Sequence, residues 1–173
     1  AIVDLILGPT HLRPINTKIV VHNVESAEEM TQKTLELFSK MNVAILAAAV
    51  ADFKPKTYSD TKIKKATADL SIQLESTTDI AATLGEIKSK NQVLVGFALE
   101  TDNEIPNAIG KLERENLDLI VLNSLQDSGA GFNGDTNKIT IIEKNKNTTS
   151  YELKSKKEVA SDITDKIISC LSK

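Results

Sequence analysis

Hydrophobic residues along this chain fall into short continuous runs and stretches of helical spacing, and the two alternate from end to end. Ile2 to Leu7 is a short apolar run closed by Gly8-Pro9-Thr10, and Lys18 to His22 (KIVVH) is another. Each is predicted to be a strand, with a proline-bearing loop, His11 to Asn16, between them. Ser26 and Glu29 have capping-box spacing and open a helix that carries Ala27, Met30, Thr34, Leu37 and Phe38 on one face. Val43 to Ala47 is a third run, of the kind that fits a strand buried on both faces of a parallel sheet. The order strand, strand, helix, strand points to a doubly wound α/β sheet.

The second half repeats the alternation. Leu70, Ile72 and Leu74 alternate with polar residues and predict a half-buried strand that protrudes from the sheet. Thr77 or Thr78 is expected to cap a helix with Asp79, Ile80, Ala81, Leu84 and Ile87, Asp79 lying in its first turn. Gln92 to Phe97 is a buried strand, Asn103 to Asn116 a helix with Ile105, Ala108, Ile109 and Leu112 on one face, and Leu117 to Leu122 a further strand ending at Asn123. Ser124 to Asn137 (SLQDSGAGFNGDTN) is too polar and too rich in glycine for regular structure. Lys138 to Glu143 and Thr148 to Leu153 flank a polar turn as a β-hairpin, and Lys156 to Leu171 closes the chain as a helix with Val159, Ile163, Ile167, Cys170 and Leu171 inward. The expectation is a single Rossmann-like domain over 1–173 with a mainly parallel sheet, a flap over 54–75 and a C-terminal hairpin over 138–153.

Chemistry concentrates in Val43 to Lys65. The apolar run passes through Ala47, Ala48, Ala49 and Ala51 to one carboxylate, Asp52, and then to Lys62, Lys64 and Lys65. Small side chains past a buried strand let a ligand lie against the backbone, and open α/β sheets bind ligands at the carboxyl ends of their strands. An acid followed by lysines suits a phosphorylated ligand, the acid meeting a hydroxyl or metal ion and a lysine the phosphates. Asp52 also fits a turn, and Lys64 and Lys65 a solvated face. Phe97 fits the core as readily as a ligand site. His11 and His22 lie on separate segments with no acidic or thiol partner in reach of the sequence pattern, and support neither a metal site nor a nucleophile.

Composition narrows the classes. At 173 residues, 40% hydrophobic and 26% charged, the chain reads as an ordinary soluble domain with a real core. A net charge of −3 and only 3% aromatics give neither a nucleic-acid footprint nor a base-stacking platform. The single cysteine, Cys170, reads as a packing residue, excludes a disulfide framework or zinc cluster and suits a reducing compartment. No apolar run reaches the ~18 residues of a membrane span, and the N-terminus has no signal-peptide pattern, so a cytoplasmic location without membrane contact is expected.

The blocks AAAVADFKP, KIKK, TTDIAATL, LVGFALET, KLERENLDLIVLNS and GAGFNGDTNKITII, in that order, resemble phosphopantothenoylcysteine synthetase, the ligase half of the bacterial bifunctional coenzyme A biosynthesis flavoprotein. The resemblance covers essentially the whole chain. It implies a phosphopantothenate–cysteine ligase. CTP activates the carboxylate of 4′-phosphopantothenate as an acyl-cytidylate with release of pyrophosphate, and the amine of cysteine then displaces the nucleotide. Magnesium accompanies the triphosphate, and no flavin belongs to this half. By position, Ala47, Ala48 and Ala49 would form the backbone floor beneath the nucleotide. Asp52 would meet ribose or metal, and Lys62 would cover the phosphates and support the chemistry. Thr78, Asp79, Ile80 and Ala81 would border the nucleotide, Phe97 would pack beside the base, and Lys111 would reach in from the next helix. Asn123 would stand close to the reacting groups.

Two positions depart from the family. A second family lysine is Glu115 here, and Thr78 replaces a proline. The family's first strand, Gly-Gly-Thr turn and asparagine-bearing helix start precede the strand matched by Ile2 to Leu7. In a doubly wound sheet that strand is central, so a fragment, or a strand supplied from outside this sequence, is expected. The alternative to a ligase is a non-catalytic nucleotide-binding or assembly fragment. A dinucleotide oxidoreductase is disfavoured by the absence of a G-x-G-x-x-G turn. A homodimer is expected, covering the edges of the hairpin and of the strand near 70–75, and so is fusion to, or association with, a flavin-dependent phosphopantothenoylcysteine decarboxylase.

Overall fold

A computed structural model of the chain describes residues 1–62, 71–124 and 134–172. These residues form two compact units. The expected elements at Lys64, Lys65 and Leu70, and most of the glycine-rich stretch, lie outside the described residues.

The larger unit comprises Leu37–Ala47 and Ile80–Lys173. Its five strands are β3 (Val43–Leu46), β6 (Val93–Glu100), β7 (Leu119–Ser124), β9 (Ile139–Glu143) and β10 (Thr148–Ser150). They lie in the order β10-β9-β7-β6-β3, with β3, β6 and β7 parallel and the hairpin strands β9 and β10 antiparallel. This is the expected α/β sheet with its C-terminal hairpin. Val93, Val95, Leu119, Val121, Ile139 and Ile141 fill one face together with Val159, Ile163 and Ile167 of α4 (Lys156–Leu171), and Cys170 packs against them as expected. The alternate residues Leu94, Ile120 and Ile142 are buried toward the other face. That face carries α2 (Ile80–Ile87) and α3 (Glu104–Arg114).

One glycine in this unit is fixed by a close approach. A Cβ on Gly85 would stand 2.0 Å from the Glu115 carbonyl oxygen, where the end of α3 crosses α2. The Asn116 side chain donates to the Gly85 carbonyl oxygen at 2.7 Å across the same contact. Glu115, the departure from the family lysine, is therefore a buried packing position, with Oε1 3.2 Å from Arg114 Nη2. A short strand pair, β8 (Thr136–Asn137) with β11 (Lys154–Ser155), leads into α4, whose first turn is closed by a capping box between Ser155 and Glu158.

The smaller unit comprises Ala1–Glu36 and Ala48–Asp79. It holds a parallel pair, β1 (Asp4–Leu7) with β2 (Val20–Asn23), an antiparallel pair, β4 (Phe53–Pro55) with β5 (Leu74–Ser76), and most of α1 (Ala27–Phe38). The Ser26 hydroxyl accepts from Glu29 N–H at 3.1 Å, and Glu29 Oε2 accepts from Glu25 N–H at 2.9 Å. The capping signature is thus realised one residue early on its return arm. The doubly wound sheet expected from the alternation is present in two pieces: β1 pairs with β2 alone, and among the described residues β3 has only β6 beside it.

Two expectations are corrected here. Ile72 and Leu74 are expected to be half-buried, but they are 64% and 58% exposed: Ile72 lies ahead of β5, and the two-stranded β4–β5 pair leaves Leu74 uncovered. His22 does have an acidic partner: its Nε2 lies 2.7 Å from Asp4 Oδ1, across the parallel β1–β2 pair. Eighteen residues separate the two, a distance that only strand pairing closes.

Candidate functional site

In the larger unit the parallel strands β3, β6 and β7 run side by side, so their carboxyl ends share one edge. Leu46 pairs with Gly96, and Gly96 with Ile120, which sets Ala47 at the level of Phe97 just past the end of β3. Ala47 is exposed and Phe97 half-buried against the α4-side core. Lys111, in the last turn of α3, donates from Nζ to the Phe97 carbonyl oxygen at 3.0 Å. A half-buried cation is thereby held against the backbone of β6, three residues before its last residue. Asn123 lies farther along the same edge, level with Leu99 on β6 and Ile139 on β9. Ala47, Phe97 and Asn123 thus lie toward the carboxyl ends of three parallel strands, where such sheets bind ligands, and Lys111 reaches the Phe97 backbone from α3. Ile80 and Ala81 belong to the same unit at the start of α2, Ile80 buried and Ala81 half-buried.

The smaller unit carries Ala48, Ala49, Asp52, Lys62, Thr78 and Asp79, all exposed. Thr77 joins two of these segments. Its N–H donates to the Asp52 carbonyl oxygen at 2.9 Å, and its hydroxyl donates to the Ala51 carbonyl oxygen at 2.6 Å. Those bonds tie the acid-bearing turn to the Thr77–Asp79 segment twenty-five residues on. The hydroxyl thus donates toward the Ala51 turn. Lys62 is exposed and has no partner among the described residues, so its ammonium is free for an anion.

Lys54, which the sequence reading passed over, lies 3.2 Å from Glu28 and 3.7 Å from Glu75. The hydrogen bond and charge of Glu28, with a smaller contribution from Glu75, hold its ammonium above the ordinary lysine value. It is a structural cation tying β4 to β5 and α1. Its charge is already answered, whereas that of Lys62 meets no partner among the described residues.

Among the described residues no group of three or more His, Cys, Asp and Glu is placed to hold a metal ion. Asp52 is a lone exposed carboxylate and can add one oxygen to an ion that arrives with its own ligands. No helix among the described residues is long and apolar enough to cross a membrane.

The larger unit is a three-layered α/β domain, its sheet covered by α4 on one face and by α2 and α3 on the other. More narrowly, the sequence profile of the DNA/pantothenate metabolism flavoprotein C-terminal domain matches residues 1–171, and the chain belongs to that family.

The chain is 41% identical over 165 residues to the coenzyme A biosynthesis bifunctional protein CoaBC of Bacillus subtilis (strain 168), covering 95% of this chain and 40% of that protein. It is 58% identical over 166 residues to a protein of an unknown prokaryotic organism named cysteine/cysteine sulfinic acid decarboxylase, covering 96% of this chain and 46% of the relative. It thus spans less than half the length of these curated relatives. Among solved structures, the crystal structure of the C-terminal domain of CoaBC superposes with a TM-score of 0.82 at 34% identity, over 99% of this chain and 75% of the other.

Proposed function

We propose that this chain is the ligase domain of a coenzyme A biosynthesis protein, joining 4′-phosphopantothenate to cysteine at the expense of CTP. The observation that carries the reading is the carboxyl edge of β3, β6 and β7, which carries Ala47, Phe97 and Asn123 with Lys111 bonded to the Phe97 carbonyl oxygen, in a domain matched over 99% of its length by the C-terminal domain of CoaBC. A similar fold, with a TM-score of 0.58 at 18% identity, is that of a Cab2 variant in complex with phosphopantothenate-cysteine, and that bound molecule has the chemistry of the product proposed here.

In this reading a carboxylate oxygen of phosphopantothenate attacks the α-phosphorus of CTP and pyrophosphate leaves. The cysteine amine then attacks the acyl carbon, a proton is lost from nitrogen, and CMP departs. Neither step needs a covalent protein intermediate, so the protein contributes placement and charge neutralisation. Lys111 and Lys62 supply positive charge to phosphate oxygens. The alanines allow the nucleotide to lie against backbone, with Thr78, Asp79, Ile80, Ala81 and Phe97 bordering it. Asn123 donates to an oxygen near the reacting centre. Magnesium, entering with the triphosphate, lowers its charge, and Asp52 offers that ion an oxygen or binds the ribose instead. The exposed apolar side chains of Phe53 and Leu74 on the β4–β5 pair fit a homodimer contact, and a flavin-dependent decarboxylase is the natural fused or associated partner. A single-protomer mass by light scattering at micromolar concentration would remove the dimer from this reading.

The 58% identical relative favours a second reading, in which the domain accompanies a decarboxylase and binds nucleotide without ligation. One experiment separates them. The full-length protein is titrated with CTP and with ATP, each with magnesium, and assayed for pyrophosphate release with phosphopantothenate and cysteine; Lys62→Ala is run in parallel. The ligase reading expects selective CTP binding, turnover, and a loss of about tenfold or more in kcat for Lys62→Ala. Binding without turnover would favour the second reading, and no nucleotide binding would overturn both.

A further inference from the structure

The Asn123 amide does not stand alone. Asn137, at the end of β8, donates from Nδ2 to Asn123 Oδ1 at 2.9 Å, and both side chains are partly buried. An asparagine amide presents an acceptor at one end and donors at the other, and the two ends are told apart only by their partners. Here the partners decide. The Lys138 backbone N–H donates to Asn137 Oδ1 at 3.0 Å, which turns the Asn137 nitrogen toward Asn123. Asn123 must meet that nitrogen with its oxygen. Its own two N–H donors are therefore turned away from Asn137, and among the described residues nothing accepts from them.

The backbone beneath this relay is held in place. Asn137 pairs with Lys154, and Thr136 with Ser155, in the β8–β11 pair. Lys156 N–H donates to the Asp135 carbonyl oxygen at 2.9 Å. Asn123 itself is fixed between Leu99 on β6 and Ile139 on β9. A side-chain amide anchored through its oxygen, with N–H groups that meet no acceptor among the described residues, is a preorganised hydrogen-bond donor at the carboxyl end of a parallel strand.

We infer that Asn137 is a positioning residue: it locks the Asn123 amide in the orientation that presents N–H donors to an anionic oxygen of the bound substrate, a phosphoryl or carboxylate oxygen. This deepens the ligase reading and rests on Asn123 belonging to its site.

Asn137→Asp tests it by inverting polarity at constant size. The new carboxylate still accepts from the Lys138 N–H but can no longer donate to Asn123, so the Asn123 amide turns its nitrogen inward and shows its oxygen to the substrate. In full-length protein, Asn123→Ala, Asn137→Asp and the double variant are compared for kcat, KM and thermal midpoint. The expected result is a fall in kcat of roughly 10- to 100-fold in both single variants. KM for CTP should stay within about twofold, and the Asn137→Asp midpoint within a few degrees of the parent. The double variant should lose no more than Asn123→Ala alone, because the relay acts as a unit.

Normal turnover in Asn137→Asp beside an impaired Asn123→Ala would overturn the inference alone. Additive losses, or a loss in Asn137→Asp that only tracks a lowered midpoint, would reduce Asn137 to a structural role and overturn it too. Normal turnover in Asn123→Ala would remove Asn123 from the site and take the inference with it.

Discussion

The two compact units are built from similar local sequence and reach different ends. In the larger, apolar strands lie five abreast between α4 and the α2–α3 pair, and Leu119, Ile120, Val121, Ile141 and Ile142 are all fully buried. In the smaller, the strands form two-stranded pairs, and Ile2, Val20, Phe53 and Leu74 are half or more exposed. A strand buries both faces only where neighbours and covering helices exist, and a two-stranded pair is marginal in water. The smaller unit instead leans on polar ties: His22 with Asp4, Lys54 with Glu28, and Thr77 with the Ala51 and Asp52 carbonyl oxygens. Hydrophobic burial holds one unit, and directional bonds carry much of the other.

The largest effect that can break this comparison is a pair of truncations. Ile141→Ala removes a fully buried side chain from the five-stranded sheet and should cost about 3 kcal/mol. Val20→Ala, at a side chain 50% exposed on β2, should cost less than about 1 kcal/mol. Two units need not unfold together, so amide hydrogen exchange resolved by segment is the measurement. Protection should fall across β6, β7 and β9 in Ile141→Ala and change little anywhere in Val20→Ala. Equal losses in the two variants would show that the smaller unit has a core of its own.

Much of the larger unit was legible because its signals are local. Val43 to Leu46 and Val93 to Phe97 are unbroken apolar runs, and the stripe Val159, Ile163, Ile167 announces α4. What escaped was set by pairing between distant segments. Asp4 meets His22 only once β1 and β2 align. The tie from Thr77 to the Ala51 and Asp52 carbonyl oxygens crosses twenty-five residues and has no local signature. Ile72 and Leu74 alternate as a strand should, but alternation reports which face is apolar and not whether anything covers it. At the candidate site, Ala47, Phe97, Lys111 and Asn123 could be placed from strand ends and the family blocks. Asn137 could not, because a glycine-rich stretch hides the two-residue strand β8; the faint signal was its position two residues ahead of the buried Ile139.

The smallest effect sharpens the comparison by testing whether directional bonds also count in the apolar unit. α4 covers the sheet, and its first turn is closed by Ser155, whose hydroxyl accepts from Glu158 N–H at 3.3 Å while Glu158 Oε2 accepts from Ser155 N–H at 3.0 Å. Ser155→Ala should cost about 1 kcal/mol. The Ser155 hydroxyl first, and its backbone N–H second, hold the Glu158 carboxyl below the ordinary glutamate value of 4.5. A carboxyl depressed in the folded state stabilises it above its unfolded value, because the unfolded chain then binds a proton the folded chain does not until the pH falls further. The contribution is thus complete above about pH 5 and disappears as the pH drops through the lowered folded value. Thermal unfolding of the parent and of Glu158→Gln should differ at pH 7 and converge as the solution is acidified below pH 4. A difference that persisted in acid would mean that the Glu158 charge has no part in closing the turn.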